Sequence, residues 1–225
     1  MRWVTLSLAL ALPLLGGCPP PPPIEAAQDV NQDRIYQEYA AFYDGETDRT
    51  SAEAQFWFGV GGTTLTLAPP STVVHNVVPM GLDTSFGAKY VGGTTGFFDF
   101  HEWMWTDADG FVYVNNLTMN PVSFVDPPQR VSLAGGVLLF EPPLEDGEGV
   151  VLWRIEPRTN ILGSQGETGM DTVVIDPPLM DVSPGPAVVE LARVRNWFTL
   201  QQATSSGGTM KAETHSEHLA VTLDP

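Results

Sequence analysis

Residues 150–156 read Val-Val-Leu-Trp-Arg-Ile-Glu. A strand sends successive side chains to opposite faces, so Val151, Trp153 and Ile155 share one side while Arg154 and Glu156 take the other. That alternation predicts a half-buried strand with Trp153 in the core. The same period recurs where Val189 and Leu191 flank Glu190, and where Leu219, Val221 and Leu223 alternate with Ala220 and Thr222. No segment past residue 45 sustains a helical period. The 22 glycines and 20 prolines punctuate short runs rich in Val, Thr, Phe, Tyr and Trp, so the chain reads as all-β.

Working outward, strands are expected at 34–43, 51–59, 63–67, 72–78, 88–91, 97–106 and 111–116. A second set is expected at 122–125, 137–140, 150–156, 172–175, 187–195, 197–202, 209–213 and 219–223. Segment 34–43 also admits a helix, because Ile35, Tyr36, Tyr39 and Phe42 could line one face. Pro-Pro pairs at 69–70, 127–128, 142–143 and 177–178 are expected to end strands, since proline cannot donate to a ladder. Seven or eight short strands per ~100 residues is the pattern of a β-sandwich, and it occurs twice. The second half resembles the immunoglobulin-like sandwich modules of bacterial surface lipoproteins, without the cysteine pair of antibody domains. The strand count sets two sandwich domains in tandem, 34–118 and 119–225, both expected to be immunoglobulin-like. The resemblance implies no activity, because such sandwiches host many functions.

Residues 97–116 are the least ordinary stretch. Asp107-Ala108-Asp109-Gly110 reads as a four-residue hairpin turn that pairs Thr106 with Phe111, Trp105 with Val112 and Met104 with Tyr113. One face then carries Trp103, Trp105, Val112 and Val114, and the other Phe98, Phe100, Met104, Phe111 and Tyr113. Both faces are apolar. One fills the core and the second needs a cover, so Phe98, Phe100, Trp103, Trp105, Phe111 and Tyr113 are the candidate interaction surface.

The N-terminus sets an address. Met1 and Arg2 precede an apolar run from Val4 to Leu15 that is too short, with Pro13 inside it, for a membrane-spanning helix of ~20 residues. Leu15-Gly16-Gly17-Cys18 resembles the bacterial lipobox. The resemblance implies cleavage after residue 17, lipid on Cys18 and a membrane anchor, expected at the outer membrane because Pro19 is not the aspartate of inner-membrane retention. Pro19 to Pro23 form a polyproline stalk of roughly 15 Å at ~3.1 Å per residue, and residues 24–32 are expected to add flexible reach within a linker spanning 18–33. Cys18 is the only cysteine, so the folded part holds no disulfide and no thiolate metal site.

The formal charge is −17, and loss of Arg2 with the signal makes it −18. Such a surface repels nucleic acid and anionic membranes. Asp44, Glu46 and Asp48 on one loop and Asp107 with Asp109 on another are weak calcium candidates, but neither loop completes a ligand pattern and both read as turns. His215 and His218, three apart, fall on opposite faces of a strand, and His75 and His101 stand alone in sequence, so no zinc and no cofactor are expected. No Gly-x-Ser-x-Gly elbow, His-Glu-x-x-His or phosphate-cradling loop is present, and no catalytic residue is expected. The reading is a non-catalytic envelope lipoprotein, structural, adhesive or a subunit of a surface assembly. The alternative is a carbohydrate-binding or glycan-active surface protein, favoured by any groove that sets aromatics beside carboxylates.

Overall fold

The computed structural model describes residues 24–156, 160–175 and 183–225. Cys18, the proline stalk and the Pro177-Pro178 pair lie outside them. The fold is all-β. In chain order the strands are β1 (Ile24–Ala26), β2 (Ile35–Asp44), β3 (Arg49–Phe58), β4 (Thr63–Thr66), β5 (Thr72–His75), β6 (Val78–Pro79), β7 (Gly81–Asp83), β8 (Lys89–Thr95), β9 (Phe100–Thr106) and β10 (Val112–Thr118). There follow β11 (Ser123–Phe124), β12 (Arg130–Ser132), β13 (Gly136–Glu141), β14 (Glu148–Glu156), β15 (Asn160–Gln165), β16 (Thr172–Ile175), β17 (Gly185–Trp197), β18 (Gly208–His215) and β19 (Leu219–Asp224).

Segment 35–44 is a strand, with Ile35, Gln37, Tyr39 and Ala41 buried and their neighbours facing out. The period is 2 because β2 lies between β3 and β18 and must bond on both edges. Residues 24–34 do not extend the stalk. β1 pairs parallel with β4, Ala27 is fully buried, and the Gln32 amide donates to the Ala27 and Val30 carbonyls, which ties the segment to the fold.

A long twisted sheet runs β4-β3-β2-β18-β17-β14-β15-β16-β13, and a smaller one runs β10-β9-β5-β6. The small sheet packs across the inner face of β2 and β3: Trp103 lies 5.4 Å from Tyr39 and Trp105 lies 4.9 Å from Phe56, ring centre to ring centre. This first cluster also takes Met210 and Ala212 from β18. A second cluster holds Val122, Phe140, Val150, Leu152, Leu162, Val189, Leu191, Val221 and Leu223. The chain passes from one cluster to the other between Met119 and Val122 and returns with β18, which pairs parallel with β2 over eight residues.

β14 alternates as expected but in the opposite phase. Val150, Leu152 and Arg154 face the core, while Val151, Trp153 and Ile155 face out and remain half-buried. Arg154 lays its stem over the core edge and donates Nε–H to the Glu156 carbonyl, so its charge did not mark the outer face. A register shift against β17 between Arg154 and Glu156 removes Glu156 from the count.

The hairpin is one residue out of the expected register. Thr106 pairs with Val112 and Trp105 with Tyr113 because the loop takes five residues, 107–111. Asp107 Oδ1 accepts from the Asp109 and Phe111 amides, and the Asp107 amide donates to the Phe111 carbonyl. Gly110 supplies the left-handed residue at φ +87° that closes it. Tyr113 thereby joins the core face, stacked 4.9 Å from Trp105, and Val112 joins the outer one.

Strand β17 ends at Trp197, so residues 198–202 are not the strand expected there. Their side chains stand in for one. Gln202 Oε1 accepts from the Val114 amide, and Gln201 bonds both the amide and the carbonyl of Asn116, which covers the edge of β10. β13 ends at Glu141, immediately before Pro142-Pro143.

Glu148 and Arg193 form a buried ion pair where the clusters meet. Arg193 also donates to the carbonyls of Pro121, Pro142 and Pro143, and Glu148 accepts from Asn120 Nδ2 and the Glu145 amide. Burial pushes the Glu148 carboxyl up, but the bonds from Arg193, Glu145 and Asn120 outweigh it and hold the group below its ordinary range.

Candidate functional site

Because β2, β3 and β18 bury one set of alternate residues, the other set forms an outer face: Ala40, Phe42 and Asp44, then Ser51 and Glu53, then Lys211, Glu213 and His215. Strands β8 and β17 extend it with Lys89, Val91 and Glu190. Two depressions lie end to end here. The larger, about 740 Å³, is lined by Phe42, Tyr43, Asp44, Arg49, Glu190, His215 and His218 among others. The smaller, about 300 Å³, is lined by Glu38, Glu53, Lys89, Trp197, Phe198 and Lys211 among others. They use successive outward residues of the same strands, Phe42 after Ala40 and Ser51 before Glu53. From Glu38 to Asp44 the face spans roughly 20 Å at ~3.3 Å per residue.

Charges on this face alternate and are mutually held. Lys89 Nζ lies 2.6 Å from Glu53 Oε1. Lys211 pairs with Glu213 and sits 5.7 Å over the Phe42 ring. His215 donates Nε2–H to Glu213 at 2.8 Å, and its Nδ1 lies 3.2 Å from Glu190 Oε1. His218 Nε2 stands 3.5 Å from Glu190 Oε2. Bonds to Glu190 and then Glu213 push the His215 imidazole up to about 9, so it is a cation at neutral pH. The bond from His215, with help from Lys211 and against burial, pulls the Glu213 carboxyl down to about 2. Trp57 Nε1 donates to Glu38 at 2.8 Å, and Arg195 lies 4.9 Å over the Trp197 ring. Phe198 is 82% exposed.

The hairpin residues divide. Trp103 and Trp105 are fully buried and belong to the core, so they cannot be interaction surface. Tyr113 is half-buried against Trp105, while Phe98, Phe100 and Phe111 are exposed. The acidic loops serve their own turns. Asp44 accepts from the Glu46 amide and Thr47 Oγ1, Asp48 from Tyr43 Oη, and Glu46 from the His218 amide. Asp107 is buried in its loop and Asp109 is exposed. Among the described residues no three His, Cys, Asp or Glu side chains come together as metal ligands.

Two histidine pairs were not legible in sequence. His215 ends β18 and the chain bends through 216–218, so His218 folds back beside Glu190 instead of taking a strand's opposite face. His75 and His101 sit diagonally on the paired strands β5 and β9, with His75 Nε2 2.8 Å from His101 Nδ1. Only the β5–β9 register, which sets His75 opposite Trp103, brings them together.

No family model matches the chain, and no curated protein matches it. Among solved structures, Bacteroides ovatus SGBP-B of a mixed-linkage glucan utilization locus, in complex with a mixed-linkage heptasaccharide, aligns over 96% of this chain and 69% of its own. The identity is 11% and the TM-score 0.26, a likeness too slight to carry argument. Among the described residues no helix is long and apolar enough to cross a membrane.

Proposed function

We propose that the chain is a lipid-anchored envelope protein, held by Cys18 at the outer membrane, that binds a neutral carbohydrate chain along the outer face of β3, β2, β18 and β17. The observation that carries this reading is the end-to-end pair of depressions that sets Phe42 and Phe198 beside Asp44, Glu190, Glu53 and Lys211. Sugar C–H faces pack on aromatic rings, and hydroxyls bond ionised side chains already fixed by their neighbours. The net charge of −17 favours a neutral polymer over an anionic one.

The reading is binding, not hydrolysis: Asp44 and Glu213 are both held below their ordinary range, so neither supplies the raised carboxyl of a glycosidase acid. The test is a glycan array on the soluble chain beginning at Ile24, followed by calorimetry with a glycan retained on it. Phe42→Ala and Phe198→Ala are each expected to weaken binding five- to thirty-fold, about 1–2 kcal/mol, with unchanged melting temperature. Retention of no glycan, or of one that binds both variants with undiminished affinity, would sink the reading.

A further inference from the structure

A third cavity, about 230 Å³, opens between β8 and the small sheet, with His75, Met80, Gly92, Phe98 and His101 in its wall. It lies on the other side of the Gly92-Gly93 backbone from the sheet face. A side chain at Gly92 would point at His75 Nδ1 and Met80 Cε, each 4.0 Å from its Cβ, whereas one at Gly93 would meet the Thr50 carbonyl at 3.1 Å and Arg49 Nε at 3.6 Å. The hydrogen bonds fix the protons. His101 Nε2 lies 3.1 Å from the Phe98 carbonyl, which can only accept, so this nitrogen carries the hydrogen. In the neutral ring His101 Nδ1 is then the acceptor, and the 2.8 Å contact makes His75 Nε2 the donor. His75 Nδ1 is left as a bare lone pair, with no protein partner among the described residues.

Both rings are neutral near pH 7. Burial and then the neighbouring His101 push His75 down to about 4. Burial also lowers His101, against the opposing pull of the Phe98 carbonyl and Asp99. Asn76 bonds Phe100 and Glu102, Thr50 Oγ1 bonds Gly96 and Phe98, Thr94 Oγ1 lies 3.5 Å from the Thr95 carbonyl, and Ser51 belongs to the outward set of β3. No Asp, Glu, Lys or Arg lines the cavity. One fixed acceptor, an apolar wall and no charge suit a neutral ligand that brings a hydroxyl donor and a C–H face. At ~30 Å³ per water the cavity equals about seven or eight waters, room for one sugar ring.

We propose that His75 Nδ1 is the acceptor of a second binding site, which takes a hydroxyl of one neutral pyranose unit against Phe98 and Met80. The choice of sugar rests on the carbohydrate reading of the sheet face; Ser51, Gly92 and Gly93 border both cavities, but the side chains that would hold the ligand, His75, Phe98 and Met80 here against Phe42 and Phe198 there, are different. The test is long-range ¹H–¹⁵N correlation of the histidine rings at pH 7, on the soluble chain beginning at Ile24. The probes are the methyl glycosides of glucose, galactose and mannose. His75 Nδ1 is expected to resonate as an unprotonated nitrogen and to move upfield, saturably, with at least one glycoside. Gly92→Ser places a hydroxyl within reach of the same lone pair and should abolish the response, as should His75→Phe. Phe42→Ala and Phe198→Ala should leave it intact.

A proton on His75 Nδ1 in the free protein, or no movement with any of the three glycosides, overturns the proposal. So does a response that survives Gly92→Ser or disappears with the sheet-face variants. Failure here alongside glycan binding that is lost in Phe42→Ala would leave the sheet-face reading standing.

Discussion

His215 offers a direct test of the charge network on the outer face. Its imidazole is ordinary in the unfolded chain, near 6.5, and is pushed up to about 9 in the fold by Glu190 and Glu213. A group raised on folding adds stability that is fully present below 6.5 and is lost as pH rises through 9. The rise from 6.5 to about 9 sets a ceiling of about 3 kcal/mol. The His215 side chain is 27% exposed and its partners are in part solvated, so screening reduces this to about 1–2 kcal/mol. The assay is urea unfolding at pH 6.0, 7.5 and 9.5 and constant ionic strength, for wild type and His215→Gln. Between the extremes the wild type should lose about 1–2 kcal/mol more than the variant. Parallel pH profiles would refute the assignment of a cation to His215.

Removing Glu148 should be far more damaging. Glu148→Ala leaves Arg193 buried without its counter-ion and is expected to cost about 3–5 kcal/mol in urea unfolding, and the double variant with Arg193→Met should cost less than the two singles combined. Gly163→Ala would set a methyl 2.1 Å from the Val174 carbonyl and force β15 from β16, lowering stability by about 1–3 kcal/mol, whereas a Cβ at Gly92 meets nothing closer than 4.0 Å and should be tolerated in the same melting assay. Trp103→Ala should cost about 3–5 kcal/mol and Phe100→Ala less than about 0.5 kcal/mol; equal costs would refute the packing of the Trp103 face of β9 into the core. Cys18→Ser should abolish lipid labelling and release the protein from membranes, and continued labelling would refute the anchor.

The fold class was legible because period-2 alternation survives wherever one face of a strand is buried. Phase was harder to read. In β14 both faces are apolar, and Arg154, which should have marked the solvent side, buries its stem and bonds a carbonyl. The hairpin failed for a related reason, since a four- or five-residue loop around Asp107 moves Tyr113 from one face to the other, and local composition does not choose between them. The polar stretch 24–34 read as linker because its anchoring is non-local: β1 bonds β4 some forty residues on, and Gln32 Oε1 accepts from the Ala108 amide.

The candidate sites were hidden more deeply, because each needs a pairing that no local pattern records. Lys211, Glu213 and His215 lie at the far end of the chain from Phe42 and Asp44 and meet them only through the parallel β18–β2 ladder, which sets Glu213 opposite Phe42 and His215 opposite Asp44. The face is therefore a product of the whole fold. β18 also gives Met210 and Ala212 to the first core, and β17 bonds β18 on one edge and the second unit's β14 on the other. Any perturbation that frees β18 from β2 removes the cations from beside Phe42 and opens the first core in the same event. The outer face and the first core thus depend on the same β18–β2 ladder, and the Glu148–Arg193 pair, whose bonds reach Asn120 and Pro121, ties down the chain where it crosses between the clusters.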